Sequence, residues 1–296
     1  MMTGMLKNIA WNGIHLSVPS SWELGWIGTR HLFFENHAGP AMEIKWEPVK
    51  GRFSHRSHLK KLIAGQKKHP GKRIGNWRLP DSWVNALANF NAQGFSWQSH
   101  TENGRGAVLF CPSCKTALMC QFFNISDQVD ETSLDVLRSL RDHRNDDQTA
   151  WTVFDIHAQL PKVFRLTDYR FRPGVYELAF SDGRQTAKLY RWAPASAFLA
   201  QTDLLRFTAS TLELKREKLV GTSCLGHPAV EWRSTTMAGK NNWLYRFRQK
   251  PVFHWVRAWH VPEKNRILGI RLDGSKPLDT NIMAALCVNY AITNIT

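Results

Sequence analysis

Acidic side chains, cysteines and long apolar runs are all scarce in this sequence. Its 296 residues contain 24 Asp and Glu against 39 Lys and Arg, which gives a formal net charge of +15 at pH 7. Five cysteines are too few, and of the wrong parity, for a secreted disulfide scaffold. No stretch approaches the roughly 18 continuous apolar residues that a membrane-spanning helix needs, and residues 1–10 lack the apolar core of a signal peptide. The sequence therefore predicts a soluble cytoplasmic protein.

Nucleotide-binding and hydrolase motifs are missing as well. The chain contains no G-x-x-x-x-G-K-[ST], G-x-S-x-G, H-E-x-x-H or dinucleotide-binding pattern. It also offers no paired acids and no nucleophile with an assignable base. The sequence does not support an enzyme, although a site between two halves of the chain stays open as an alternative. Zinc is the one cofactor that a motif indicates.

Residues 104–123 carry the clearest local pattern. Two short apolar runs, Ala107–Phe110 and Ala117–Phe123, are joined by the turn Cys111-Pro-Ser-Cys-Lys115. Apolar runs separated by a few turn residues are typical of a β-hairpin. A similar outline returns at residues 257–272, so the hairpin is expected twice.

The repetition extends beyond the hairpins. Aligning them without a gap puts Leu118 on Leu268, and further upstream Trp46 corresponds to Trp192. Offsets that drift slowly, with the elements in one order, favour a duplication, and short connections favour antiparallel sheets. We therefore predict an α+β fold of two pseudo-repeated halves, each an antiparallel sheet with helices packed on it. The expected parts are a first repeat at 1–141, a polar linker at 142–150 and a second repeat at 151–296.

Helical spacing of apolar side chains predicts four helices. Two belong to each half, one in the middle and one at the end. They are expected at Ser57–Lys68, Asp130–Arg141, Ala195–Leu219 and Leu278–Tyr290.

The repeated unit resembles a known family over most of both halves, and the first half carries the features that show it. This half has an opening strand that ends in Val18-Pro-Ser-Ser-Trp22 and a closing helix that contains Leu134–Leu140. With the element order, these features resemble the PsbP-type α/β/α fold of the photosystem II extrinsic subunit and its relatives. The resemblance implies a binding or assembly module rather than an enzyme, although the tandem arrangement departs from that family's usual single domain. A saddle-shaped repeat of the TATA-binding type is the competing arrangement.

Cys111 and Cys114 are the sharpest candidate for chemistry. Two thiolates at this spacing on a hairpin turn can supply half of a tetrahedral zinc site. Cys120 or His100 could complete the site if the fold brings either of them to the turn. Two reduced thiols without a metal are the alternative. A redox role fits less well, because a strand rather than a helix N-terminus follows the motif.

The second candidate is an Arg-aromatic region in the second half. Aromatic side chains beside Arg on an open sheet can stack the bases of single-stranded nucleic acid. The alternative is that the aromatic residues form the core face of the sheet. The residues in question are Arg246, Arg248, Trp255, Arg257 and Trp259.

The sequence thus favours a non-catalytic binding or assembly module with a basic surface for an anionic macromolecule or a protein partner. Excess positive charge promotes encounter with anions but does not define a specific function. The alternatives are nucleic-acid binding through the Arg-aromatic strands, and the enzyme mentioned above.

Overall fold

The computed structural model describes residues 5–65, 73–124, 131–143, 147–238 and 250–293. These residues form three antiparallel sheets, two of seven strands and one of five, together with six helices. The prediction of an α+β fold with antiparallel sheets is therefore confirmed. No helix in these ranges has the length and apolar character needed to cross a membrane.

The contacts divide the chain into two compact units. Unit 1 comprises Met1–Asp146, Trp151–Phe154 and Asn294–Thr296, and unit 2 comprises Asp147–Ala150 and Asp155–Thr293. The elements in the first part of the chain are β1 Leu6–Trp11, β2 Ile14–Pro19, β3 Glu23–Gly28, β4 His31–Asn36, β5 Gly39–Pro48, α1 His55–Gly65, β6 Arg73–Asn76, α2 Asp81–Ala86, β7 Asn91–Gln98, β8 Asn103–Cys111, β9 Thr116–Phe123, α3 Glu131–Ser139 and β10 Gln148–Val153.

The seven-stranded sheet of unit 1 has the order β3-β4-β5-β9-β8-β7-β6. Helix α1 packs on one face, where Leu59 contacts Phe95, Trp97 and Val108. On the other face the Trp46 indole donates a hydrogen bond of 3.2 Å to a backbone carbonyl in the β1–β2 turn. Successive residues of β8, from Gly106 to Leu109, lie on both faces and are all buried, so the centre of the sheet is covered on each side.

The elements of the second part of the chain follow β10. They are β11 Ile156–Pro161, β12 Arg165–Arg172, β13 Val175–Ser181, β14 Gln185–Trp192, α4 Ala195–Phe198, α5 Leu204–Thr211, β15 Leu219–Cys224, β16 His227–Ala238, β17 Lys250–Val261, β18 Arg266–Gly274, α6 Thr280–Val288 and β19 Tyr290–Ile292.

The seven-stranded sheet of unit 2 has the order β12-β13-β14-β18-β17-β16-β15. Helices α4 and α5 cover one face, where Phe207 meets Trp192 edge-on with the ring centroids 5.4 Å apart. The residue Trp259 lies on the other face and contacts Tyr290 at a centroid distance of 6.0 Å. Burial of these large rings supplies much of the hydrophobic stabilisation of the unit.

A buried ion cluster also lies within unit 2. The side chain of Asp155 is 1% exposed, and its Oδ2 accepts hydrogen bonds from Arg191 Nε at 3.0 Å and Arg266 Nε at 2.7 Å. The Arg191 guanidinium also lies over the ring of Tyr176, 4.5 Å from its centroid. The carboxylate therefore joins two strands of the sheet to the β10–β11 turn.

Some expected elements differ from those observed. The single helix predicted at Ala195–Leu219 is wrong, because α4 ends at Phe198 and α5 begins after Asp203, whose carboxylate caps it by accepting from the backbone N–H of Arg206 at 2.7 Å. A local capping group thus overrides the apolar spacing. Strand β1 is present although the sequence pattern did not predict it. The other three predicted helices are observed as α1, α3 and α6, and their comparable ends differ by two residues. The predicted ends at Lys68 and Asp130 lie outside the described residues.

Candidate functional site

The hairpin turn that carries the cysteine pair is well defined. Strand β8 ends at Cys111, and the N–H of Lys115 donates to the Cys111 carbonyl at 3.0 Å. Lys115 has a φ of +56°, the left-handed conformation that closes such a turn. Its own carbonyl accepts from the N–H of Val49 at 2.7 Å. These backbone bonds hold Cys111 and Cys114 at one end of the sheet.

The segment after α3 is brought to the same end. His15 and Arg141 exchange two backbone hydrogen bonds of 2.8 Å each. The hydroxyl of Ser139 accepts a further bond of 2.8 Å from the N–H of Ser17. Because Arg141 is fixed to β2 in this way, the two residues that follow it lie beside the hairpin turn.

Two thiols, a carboxylate and an imidazole meet there. Their potential ligand atoms all lie within 4.8 Å of one another. We call this group the hairpin-tip cluster, and its members are Cys111, Cys114, Asp142 and His143. The Cys111 Sγ lies 3.7 Å from His143 Nδ1, and the Cys114 thiol donates to Asp142 Oδ2 at 2.7 Å.

The electrostatics of the cluster favour a protonated Cys114 when no cation is present. Burial, followed by the hydrogen bond and the charge of Asp142, raises the pKa of the Cys114 thiol to about 12. The hydroxyl of Thr116, 3.1 Å from the sulfur, works in the opposite direction. A bound cation would replace the thiol proton as the positive charge that faces Asp142.

The structure does not bring the two further ligands expected from the sequence to this pair. Cys120 lies in the middle of β9, opposite Ala107 and Ile44, and its complete burial raises the pKa of its thiol. His100 lies in the loop before β8, whereas Cys111 ends that strand. Asp142 and His143, which supply the other donors, fall in the stretch expected to be a linker. The sequence shows them only as an adjacent Asp-His pair after a helix.

The Arg-aromatic candidate has a different environment from the one that base stacking requires. Arg246 and Arg248 lie outside the described residues. Trp255 is 3% exposed and Trp259 1% exposed, so neither ring offers a free face. Arg257 Nε donates to Glu231 at 2.9 Å. Both faces of β17 are covered, since the consecutive residues Trp255 and Val256 are both buried. The alternative of a core face therefore accounts for both tryptophans.

A second thiol pair lies beside Arg257. Hydrogen bonding with Cys287, and then the charge of Arg257, lower the pKa of Cys224 to about 7, while the same contact raises the pKa of Cys287. Both cysteines are buried. The pair is therefore a shielded contact between two cysteines, not an exposed nucleophile.

Unit 2 also contains a polar chain across three strands, which no sequence motif predicted. Thr236 Oγ1 lies 2.7 Å from His254 Nε2, and His254 Nδ1 lies 2.5 Å from Asp273 Oδ1. This order of hydroxyl, imidazole and carboxylate occurs in hydrolases. Here, however, Arg271 Nε contacts both oxygens of Asp273 at 3.0 Å. The groups stand on the neighbouring strands β16, β17 and β18, so the chain is a cross-strand polar ladder.

Strand β15 is the last strand in the sheet of unit 2. It pairs with β16 without a register shift from Leu219 to Cys224. Within the described residues its other edge has no neighbouring strand. All four residues from Val220 to Ser223 are exposed, and the Val220 side chain is 65% exposed.

Comparisons with known proteins give low similarity. No protein-family model and no curated protein matches the sequence. Among solved structures, the immunity protein TplEi of the T6SS from Pseudomonas aeruginosa has 9% identity, 98% coverage of each chain and a TM-score of 0.37. A structure of the Tle4-Tli4 complex has 9% identity, 98% coverage of each chain and a TM-score of 0.34. A protein from Bacteroides thetaiotaomicron has 12% identity and a TM-score of 0.32, and the match covers 52% of this chain and 55% of that chain.

Proposed function

We propose that the chain is a non-catalytic binding module whose partner is another protein, and that an extended segment of the partner pairs with the outer edge of β15. This proposal is based on the chemistry of that edge. The structural similarities reported above, with TM-scores below 0.4, do not contribute to it.

The observation that carries the proposal is an edge strand that, among the residues the structure describes, lacks the usual protection. The outer edge of a sheet presents backbone N–H and C=O groups that another strand can pair with. Natural edge strands are usually protected by charged side chains, proline or a bulge. Residues Leu219–Cys224 contain neither a charge nor a proline, and their register is unbroken. Strand addition is a recurring mode of peptide recognition, in which backbone bonds give affinity and side chains give specificity.

The residues that precede β15 indicate the chemistry of the partner segment. Lys215, Arg216 and Lys218 are exposed, with Glu217 as the acidic residue among them. An acidic extended segment would lie beside these charges, and complementary charge accelerates association. The anionic partner expected from the sequence is thus proposed to be an acidic protein segment.

The alternatives have less support. Nucleic-acid binding through β17 would need exposed rings, but Trp255 and Trp259 are buried. For an enzyme, the ladder of Thr236, His254 and Asp273 offers a hydroxyl, an imidazole and a carboxylate, but the carboxylate is shared with Arg271. A cytoplasmic location and the PsbP-type resemblance stay predictions.

We also propose that the two units derive from duplication of one α+β unit, near the expected ranges 1–141 and 151–296. The two strand orders support this, because adding nine to each strand number of one sheet gives the order of the other. Strand pairing changes the residue of the second unit that corresponds to Trp46. Leu118 pairs with Trp46, and Leu268 pairs with Arg191, so the counterpart of Trp46 would be Arg191 and not Trp192. In an experimental structure, superposed sheets should place Trp46 on Arg191, and unequal strand orders would end the proposal.

The binding proposal can be tested with a defined peptide. The probe is a synthetic six-residue peptide of alternating Val and Glu, titrated into the full chain while backbone amide shifts are recorded by NMR. We expect the largest shifts in β15. The double variant Val220→Glu/Thr222→Glu should bind at least about tenfold more weakly, because like charges then face each other.

A matched control uses Val163, which is 63% exposed and lies outside the sheet. The variant Val163→Glu adds a carboxylate at an equally exposed apolar residue and should bind as the parent does. Equal weakening in both variants, shifts centred away from β15, or no binding would each overturn the proposal.

A further inference from the structure

The hairpin-tip cluster combines metal-binding side chains with a defined geometry, and the proposed function makes no use of it. Its donors come from two segments that lie 28 to 32 residues apart in sequence. We propose that the cluster is a structural zinc site that fastens the segment after α3 to the β8–β9 turn. This inference is independent of the proposed edge of β15.

The four donor atoms lie within 4.8 Å of one another, so small shifts of the side chains would give the distances of a tetrahedral site. Zinc binds thiolate sulfur at about 2.3 Å and imidazole nitrogen or carboxylate oxygen at about 2.0–2.2 Å, so neighbouring ligands stand about 3.4–3.8 Å apart. The distance of 3.7 Å between Cys111 Sγ and His143 Nδ1 already has this value. The hydrogen bond of 2.7 Å between Cys114 and Asp142 would lengthen by about 1 Å as zinc replaces the thiol proton.

The donor types select the metal. Two thiolates with an imidazole suit zinc, whereas calcium and magnesium take oxygen ligands. Four protein ligands complete a tetrahedral shell and leave no position for a substrate, which is the arrangement of structural sites. Cys111 is buried and the Asp142 side chain is 5% exposed, so half of the shell is shielded from water. Thr116, beside the Cys114 sulfur, would support that ligand from outside the shell.

The backbone holds the ligands in place without an ion. The left-handed Lys115 and the bond from its N–H to Cys111 shape the turn. The paired bonds between His15 and Arg141 fix the second segment. Zinc binding therefore needs little additional ordering of the chain, which favours affinity.

The test uses the full-length chain after treatment with a chelator. Cobalt(II) is titrated as a visible probe of tetrahedral thiolate sites, and zinc is then added to displace it. We expect one cobalt per chain and a thiolate-to-cobalt charge-transfer band. The variants Cys114→Ser and His143→Ala should each bind at least about 100-fold more weakly, the upper end of the loss for an outer-shell partner. The control His100→Ala should bind as the parent does.

Several outcomes would overturn the proposal. These are no charge-transfer band at equimolar cobalt, unchanged affinity in His143→Ala, or equal loss in His100→Ala. Cys114 and His143 are exposed, so their variants should fold, which near-UV circular dichroism checks. A second measurement needs no variant. Zinc should slow alkylation of Cys114 in the parent chain at least about tenfold, because the alkylating reagent reacts only with the fraction of chains whose sulfur is not bound to the metal. Equal alkylation rates with and without zinc would refute the site.

Discussion

Asp155→Asn should strongly destabilise unit 2. The change removes the charge that Arg191 and Arg266 share while keeping the size of the side chain. Arg191 is 8% exposed and cannot recover its hydration, whereas Arg266 is 24% exposed and recovers part of it. Removing one partner of a buried ion pair costs about 3–5 kcal/mol. We therefore expect a loss in this range, which comes mainly from Arg191.

The assay is urea denaturation of the full chain followed by near-UV circular dichroism, which reports the packing of the aromatic residues. The control is Asp168→Asn, since Asp168 and Arg170 form a pair of the same type at 3.3 Å with both side chains 55% exposed. Exposed pairs contribute about 0–1 kcal/mol, so the control should unfold close to the parent midpoint.

A comparison of the two variants tests whether burial determines the strength of the Asp155 cluster. If Asp155→Asn loses less than about 1 kcal/mol, or no more than Asp168→Asn, then burial does not determine the strength of the cluster and the reasoning fails. The double variant Asp155→Leu/Arg191→Met should recover part of the loss, because it leaves no unpaired charge at the most buried position.

Three further predictions follow from individual side chains. Trp255→Ala should lower the free energy of unfolding by about 3–5 kcal/mol in chemical denaturation, as expected for a buried ring. A variant as stable as the parent would contradict the burial of this ring. Gly106→Ala should lower the melting temperature because the added Cβ would lie 2.3 Å from a backbone oxygen, whereas Gly221→Ala has open space and should not. Burial alone would raise the pKa of Glu43, but Lys45 and His31 hold it below its ordinary value. Its contribution to stability is therefore present above the unfolded pKa and lost as pH falls through the folded pKa. Melts between about pH 5 and pH 2 should show a weaker acid effect in Glu43→Gln.

The parts of the fold that the sequence predicted depend on near neighbours. The hairpin of Ala107–Phe110 and Ala117–Phe123 follows from alternating residues on either side of one turn, and pairing from Gly104↔Phe123 to Cys111↔Thr116 confirms it. The helix at Asp130–Arg141 is observed as α3 for a similar reason, since its apolar spacing and its first-turn Glu131 are local.

The parts that the sequence did not predict depend on distant pairing. Asp142 and His143 reach the cysteine turn because Arg141 pairs with His15, and no local pattern records that bond. The burial of Trp255 could not be predicted either, because alternation places it on one face of β17 but does not show whether that face is covered. Residue type indicates the chemistry, and the fold decides which residues meet.

The strand orders also affect how the protein is made. Trp192 of β14 pairs with Ile267 of β18, about 75 residues later in the chain. At a synthesis rate of about 5–20 residues per second, β14 would wait about 4–15 s for its neighbour. During that time the meander β12–β14 has an open inner edge, which is able to pair with another nascent chain. Strand β5 waits in the same way for β9, so each nascent chain has two intervals in which an unpaired edge could pair with a neighbouring chain. A translational pause before β18 should therefore promote aggregation.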